Sequence, residues 1–209
     1  MEKIKVEVYP CGYLQVNCYL VYHEENKKAF IVDPGGVSEA LAERCEALSL
    51  VPEYIILTHG HGDHIGGIPA YRQMFPDIRV VAARAEQEFL MTPSLNCSRD
   101  TADGEMSIAA DLWVDDGDTL SAAGTELKFI MTPGHTPGGM CILMGDILFS
   151  GDTLFCLSIG RTDFPGGSFE KLAASIHEKL FVLPDETKVL PGHMGATDIG
   201  KEKRANPFV

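Results

Sequence analysis

Tyr54-Ile55-Ile56-Leu57-Thr58-His59-Gly60-His61-Gly62-Asp63-His64 decides the reading of this chain. A short apolar run, long enough for one buried strand, stops in three histidines and an aspartate spaced by glycines. Successive side chains of an extended segment alternate in direction, so His59 and His61 point the same way and can chelate one ion. Asp63 and His64 stand where the next helix begins and can turn toward a neighbouring ion. Gly60, Gly62, Gly66 and Gly67 allow the backbone to wrap closely around such a centre. A lone histidine is more often a surface or hydrogen-bonded residue than a ligand; three of them enclosing Asp63 reverse that balance.

The pattern recurs along the chain. Ala29-Phe30-Ile31-Val32 runs into Asp33, and Phe129-Ile130-Met131 into Thr132-Pro133-Gly134-His135. Ile147-Leu148-Phe149 runs into Ser150-Gly151-Asp152, and Val189-Leu190 into Pro191-Gly192-His193. If these runs are strands, each delivers its polar residue at its C-terminal end, and strands laid side by side converge those residues on one edge of the core. His135 then completes a first site with His59 and His61. His193 completes a second with Asp63 and His64, and Asp152 is shared between them. Imidazole and carboxylate donors without thiolate suit Zn, Fe or Mn. Asp33, followed by Pro34-Gly35-Gly36, fits a plain turn-former as well as a carboxylate that holds a ligand histidine from behind. His23, before a charged turn, and His177, within an amphipathic helix, read as ordinary residues.

Bulk properties narrow the partners. The 209 residues carry a formal net charge of −13, which argues against nucleic acid, because affinity for a phosphate backbone rests on clustered Lys and Arg. The one short basic cluster, Lys201, Lys203 and Arg204, is too small to reverse this. No apolar run is long enough to cross a bilayer, and the N-terminal residues alternate charged and apolar without the apolar core of a signal peptide. A cytoplasmic protein with no membrane partner is expected. None of the six cysteines forms a Cys-x-x-Cys pair, and most lie in apolar runs, as buried free thiols do.

Periodicity predicts strands near 3–9, 18–22, 28–32, 54–57 and 79–82, and helices over 38–49, 64–75 and 84–91. Ser38 caps the first helix, with Leu41, Cys45 and Leu48 on one face. Residues 92–111 show no period and read as a long loop. Strands near 125–132, 139–144 and 147–150 follow, then a helix over 168–180 started by Ser168, a strand over 187–190 and a short polar tail. Two strand-rich halves, each with helices, give a single α/β domain over 1–209, with two sheets face to face and helices outside.

Thr58-His59-Gly60-His61-Gly62-Asp63-His64-Ile65-Gly66-Gly67 resembles the signature of the metallo-β-lactamase-fold hydrolases. Pro133-Gly134-His135-Thr136-Pro137-Gly138, Ser150-Gly151-Asp152-Thr153 and Pro191-Gly192-His193 match that family's remaining motifs in order, from about Asn17 to the C-terminus. The resemblance implies a four-layer αββα sandwich with a dinuclear site at one edge. His59, His61, His135 and Asp152 would hold one metal, and Asp63, His64, His193 and Asp152 the other, with Zn the first choice and Fe or Mn the alternatives. Gly160-Arg161-Thr162-Asp163-Phe164-Pro165-Gly166-Gly167 and the tail residues Thr197, Ile199-Gly200, Glu202 and Asn206-Pro207 are similar to those of short, single-domain glyoxalase II-like enzymes. True β-lactamases look less similar, since many place Cys where this chain has Asp152. Two departures stand out. The C-terminal helical domain that helps longer hydroxyacylglutathione hydrolases bind glutathione has no counterpart after His193. Met194-Gly195 stands where this subgroup carries Gly-Pro.

The resemblance implies a hydrolase of a small-molecule thioester, such as S-D-lactoylglutathione or a related acyl thioester, attacked by a hydroxide held between two metals. Arg161 is the candidate for a substrate carboxylate, because a guanidinium binds carboxylates with two parallel hydrogen bonds; an ion pair to Asp163 is the competing role. Two alternatives share the motifs. Persulfide dioxygenases resemble this family and carry one iron, here on His59, His135 and Asp152. A metal-stabilised binding module without catalysis would normally close its coordination with four ligands per metal, often cysteines.

Overall fold

A run such as Ala29-Phe30-Ile31-Val32 has no polar alternation, so a strand made from it must be covered on both faces. The computed structural model, which describes residues 3–209, meets that demand with two six-stranded sheets face to face and helices on both outer surfaces. The first sheet takes its strands in chain order: β1 (Ile4–Cys11), β2 (Val16–His23), β3 (Lys28–Val32), β4 (Val51–Ile56), β5 (Arg79–Ala83) and β6 (Leu112–Val114). β1, β2 and β3 pair antiparallel; from β3 to β6 the pairing is parallel. The remaining strands are β7 (Thr119–Ala122), β8 (Thr125–Met131), β9 (Met140–Met144), β10 (Ile147–Gly151), the small hairpin β11 (Leu154–Phe155) with β12 (Ser158–Ile159), β13 (Lys188–Pro191) and β14 (Thr197–Asp198). They form the second sheet in the order β14-β13-β10-β9-β8-β7, with the hairpin apart.

Alternate side chains of each central strand feed different cores. Tyr19, Val21, Phe30, Val32 and Ile56 pack between the sheets against Leu127, Phe129, Ile142 and Phe149. Their neighbours Cys18, Leu20, Ile31 and Ile55 face outward onto helices α1 (Glu39–Leu48) and α3 (Ile68–Met74). On the far side Cys141, Leu148 and Val189 meet α7 (Phe169–Ser175), its continuation Ile176–Leu180, and α8 (Ile199–Ala205). This is the αββα sandwich. Between α1 and α7 lie four further short helices besides α3: α2 (Gly62–Ile65), α4 (Gln87–Met91), α5 (Pro93–Asn96) and α6 (Ser98–Thr101). Among the described residues no helix is long and apolar enough to cross a membrane. All six cysteines are unpaired thiols.

Ser38 caps α1 as its sequence position predicts, its hydroxyl accepting from the Leu41 N–H. Three expectations need correction. The single helix expected over 64–75 is broken between α2 and α3, because Gly66 and Gly67 press on the backbone of Gly35 and Gly36; a Cβ on Gly66 would lie 2.3 Å from the Gly35 carbonyl. Residues 92–111 are not one open loop. They contain α5 and α6, tied down by Asn96, whose amide donates to the carbonyls of Leu90 and Met106. The expected polar tail is β14 followed by α8, a helix capped by Asp198 at the Lys201 N–H. Short strands β6, β7, β11 and β12 also escaped the periodicity reading, since runs of two to four residues carry too few side chains to show one.

Phe30 is fully buried between the sheets. Phe30→Ala is expected to lower the free energy of unfolding by about 3–5 kcal/mol, the range for truncating a core aromatic. Equilibrium urea denaturation measures this, and a loss below about 1 kcal/mol would contradict the packing described.

Candidate metal centre

Parallel strands end on the same side of a sheet, and this places the polar residues together. β3 ends at Asp33, β4 runs into Thr58 and His59, and both belong to the parallel part of the first sheet. In the second sheet β8 and β10 are both antiparallel to β9, and β10 is parallel to β13. Their C-terminal ends therefore present His135, Asp152 and His193 along one edge. Backbone bonds join the two edges: Met140 N–H donates to the Thr58 carbonyl at 2.8 Å, and Asn17 N–H to the Gly192 carbonyl at 2.7 Å.

The seven residues expected as ligands come together. His61 Nδ1 and His135 Nε2 are 2.9 Å apart, and His59, His61 and His135 each offer a ligand atom within 4.8 Å of the others. Asp63, His64 and His193 form a second such group, with His193 Nε2 3.1 Å from Asp63 Oδ2. Asp152 reaches both. Its Oδ1 lies 3.4 Å from His64 Nε2, and its Oδ2 lies 3.7 Å from His135 Nε2 and 3.8 Å from His193 Nε2. The Nε2 atoms of His59, His61 and His64 and Oδ1 of Asp152 are buried without a hydrogen-bond partner. Buried polar atoms are otherwise almost always paired, so a convergent set of orphaned nitrogen and oxygen donors fits a bound cation.

Asp33 groups geometrically with His59 and His64, yet its oxygens are already engaged. Oδ1 accepts from Thr58 N–H at 2.8 Å, and Oδ2 accepts from Thr58 Oγ1 at 2.6 Å and faces His64 Nδ1 at 3.0 Å. That is the geometry of a carboxylate that orients His64, leaving its Nε2 turned into the site. Asp33 adopts φ 49°, a left-handed conformation that Asp tolerates better than most residues. Gly151, at φ 50°, lets the Asp152 loop touch Thr58; a Cβ there would stand 2.2 Å from Thr58 Oγ1.

Electrostatics divides the cluster. Burial, reinforced by neighbouring imidazoles, pushes His59 well below the ordinary histidine value and His61 down to about 3. Burial alone would lower His64 as well, but the carboxylates of Asp152, Asp63 and Asp33 hold it well above. Against their own burial, Asp152 and Asp63 are held below the usual carboxylate range, with His64 the largest opposing charge for each. Asp63, Asp152, His59 and His61 are thereby held in the forms that coordinate metals, whereas His64, held protonated by its carboxylate neighbours, gives up that proton when a cation takes its place.

Five residues outside the expected ligand set, Asn17, Tyr19, Glu86, Glu202 and Asn206, support the cluster. Asn17 Nδ2 donates to the carbonyls of Pro191 and Met194, and Tyr19 Oη to Pro191, so β2 fixes the loop of His193. Met194 is held at φ 68°, where the expected glycine would sit without strain, and is exposed at the rim. Glu86 is buried beneath two ligand-bearing loops. Glu202, buried in α8, accepts from the Leu157 N–H and from Asn206, which also donates to the Ser158 carbonyl. The tail motif therefore braces the β11–β12 hairpin. Asn17 and Glu202 lay within the quoted resemblance, but nothing in their residue types named these partners.

A cavity of about 410 Å³ opens above the cluster, walled by Leu14, Phe155, Ile159, Phe164 and Met194 and by Arg161. The Arg161 guanidinium is exposed, makes two hydrogen bonds to Asp163 (2.9 and 2.7 Å), and lies 4.3 Å over the Phe164 ring. Its carbonyl faces His135 Nδ1 at 2.6 Å, which orients that imidazole. Of the loop 92–111, Cys97 and Thr101 reach the cavity. His23 caps a turn, facing the N–H groups of Glu25 and Asn26, and His177 packs on Phe181; neither joins the site.

The model of the metallo-beta-lactamase superfamily matches residues 11–193. The chain belongs to that superfamily. Its metallo-hydrolase relatives include hydroxyacylglutathione hydrolase GloC of Haemophilus influenzae, 37% identical over 99% of this chain and 98% of that protein. Among solved structures, BLEG-1, a B3 metallo-beta-lactamase, superposes with a TM-score of 0.90 at 39% identity, covering 98% of this chain and 99% of its own. TTHA1623 in a di-iron-bound form superposes at 0.84 with 33% identity, covering 98% and 100%. BLEG-1, named for a β-lactamase, and GloC, named as a hydroxyacylglutathione hydrolase, are thus similar to this chain to nearly the same degree, 39% and 37% identical. With its cluster of His and Asp donors, this metallo-hydrolase is a protein of divalent metals.

Asp33→Asn, which removes one charge and one acceptor behind His64, is expected to weaken zinc binding about 10–100-fold. Competition with a chromophoric chelator measures it; unchanged affinity would reduce Asp33 to a turn-former.

Proposed function

We propose that this metallo-hydrolase cleaves acyl thioesters at a dinuclear site. The ligands would be His59, His61, His135 and Asp152 for one cation, and Asp63, His64, His193 and Asp152 for the other, with Asp33 orienting His64. The observation that carries this reading is the placement of Asp152 between the two groups, one oxygen toward His64 and the other toward His135 and His193. Two bound divalent ions supply Lewis acidity and lower the pKa of water toward neutrality, which makes a nucleophile available at pH 7. Zinc is the proposed metal, with iron the alternative that the di-iron form of TTHA1623 favours.

The chain's own groups do the rest. Leu14, Phe155, Ile159 and Phe164 exclude water around the scissile bond. Arg161, already at the cavity wall, takes a substrate carboxylate in exchange for Asp163, an exposed partner that holds it weakly. A thiolate leaves readily, so no strong general acid is required. GloC, a hydroxyacylglutathione hydrolase in name and a match along nearly the whole chain, makes S-D-lactoylglutathione the first substrate to test. All of this is built from one sandwich domain, and six free thiols accord with a cytoplasmic setting.

Elemental analysis of the purified protein, run beside hydrolysis of S-D-lactoylglutathione and other acyl thioesters, is expected to give two divalent ions per chain and thioester turnover. One iron per chain with oxygen uptake on a persulfide would replace the hydrolase by a dioxygenase on His59, His135 and Asp152. A full metal complement without any turnover would leave a binding module. In the active protein, Arg161→Ala is expected to raise KM about tenfold or more with little change in kcat, the size of a lost charge-assisted hydrogen bond. An unchanged KM would remove Arg161 from the substrate site.

A further inference from the structure

Glu86 is 1% exposed, and Lys or Arg is absent from its hydrogen-bond partners. It sits in the turn Arg84–Glu86, between the end of β5 and the start of α4, directly beneath the cluster. Its Oε1 accepts from the Gly60 N–H at 3.0 Å, and its Oε2 from the Gly138 N–H at 2.7 Å. Gly60 lies between His59 and His61, on the loop that leaves the first sheet. Gly138 closes the Pro133-Gly134-His135-Thr136-Pro137-Gly138 segment, on the loop that leaves the second. One carboxylate therefore joins the two loops whose imidazoles must meet, and His61 and His135 do meet at 2.9 Å.

Packing reinforces the bond. A Cβ on Gly138 would stand 2.4 Å from the Glu86 nitrogen and 2.5 Å from the Ala85 carbonyl carbon, so the His135 loop rests on this turn with no room to slide. A Cβ on Gly60 would meet Leu90 at 3.0 Å, and the Phe89 ring lies 5.2 Å from that of His61. The opposite half of the cluster is held otherwise, His64 by Asp33 and the His193 loop by Asn17 and Tyr19.

The residue type is informative. Only a carboxylate accepts from two N–H groups with two oxygens; the amide of glutamine would turn an N–H₂ toward one of them. Burial pushes the Glu86 carboxyl up to about 7, so its anion is costly in this position and needs positive potential nearby. Two aligned N–H dipoles supply part of that, and cations among His59, His61 and His135 would supply more.

We propose that Glu86 is a positioning residue that clamps the His59–His61 loop to the His135 loop and thereby sets the cation affinity of the three-imidazole half of the site. The proposal rests on the dinuclear reading above, and its test separates the halves. Zinc affinity is measured by chelator competition on the full chain with and without Glu86→Gln, in two backgrounds. His193→Ala leaves the three-imidazole half intact, and His59→Ala leaves the Asp63–His64–His193 half. Glu86→Gln is expected to weaken zinc at least tenfold in the His193→Ala background and by less than twofold in the His59→Ala background, a selectivity that general loosening of the fold would not produce. Equal losses in both backgrounds, or none in either, would overturn the clamp while leaving the dinuclear reading in place. Absence of zinc binding in the unmutated chain would overturn both. If Glu86→Gln does not fold, Glu86→Asp carries the same test, since drawing the carboxylate back by one methylene breaks at least one of its two bonds.

Discussion

Buried imidazole and carboxylate atoms with no partner inside the protein are the constraint on which the rest of this structure turns. His59, His61 and His64 each leave Nε2 unpaired in the interior, and Asp152 leaves Oδ1. Such atoms are tolerated where something outside the chain satisfies them, and their donor types suit divalent metal. The sandwich makes the arrangement possible. Parallel strand ends from two sheets meet at one edge, which brings together side chains from five separate stretches of sequence without any of them lying on a long flexible loop.

Around that cluster the supports differ in kind from the ligands. Ligand nitrogens need a second hydrogen bond to fix ring orientation. Asp33 provides it for His64 and the Arg161 carbonyl for His135. Whole loops need backbone anchors, and these come from Asn17, Tyr19 and Glu86. Even the last helix serves the site, because Glu202 and Asn206 hold the hairpin that walls the cavity. The fold therefore spends much of its polar interior on positioning. Part of the chain's acidity has the same origin: Asp33, Asp63 and Glu86 are buried, and Asp152 is nearly so, beside a place for cations, so the formal charge of −13 overstates the charge of a loaded protein.

A cavity opens over this edge. Above the cluster its walls combine apolar Leu14, Phe155, Ile159 and Phe164 with Thr101, Ser158 and Arg161, whose guanidinium is shared between Asp163 and the face of Phe164. A relative named as a hydroxyacylglutathione hydrolase and another named as a B3 metallo-beta-lactamase match the chain to similar degrees. At the mouth, Met194 stands exposed beside His193 at φ 68°.

By itself the sequence determined which residues are candidate ligands, and the strand-end pattern, because both are local. Spacing within His59–His64 fixes which side chains share a direction, and an apolar run that stops at Gly or Pro marks a strand end wherever it occurs. Both-face burial was legible in the same way, from runs without alternation such as Ala29–Val32. Only the tertiary structure decided what the supporting residues do. Whether Asp33 was a turn-former or a partner of His64 depended on a residue 31 positions away, and Glu86 acquires meaning from Gly60 and Gly138, which no local period connects to it. The break at Gly66–Gly67 likewise came from contact with Gly35 and Gly36 across the sheet edge. Hydrogen bonds and close contacts between distant segments leave no periodic trace in a chain, and so they become readable when the segments are packed together.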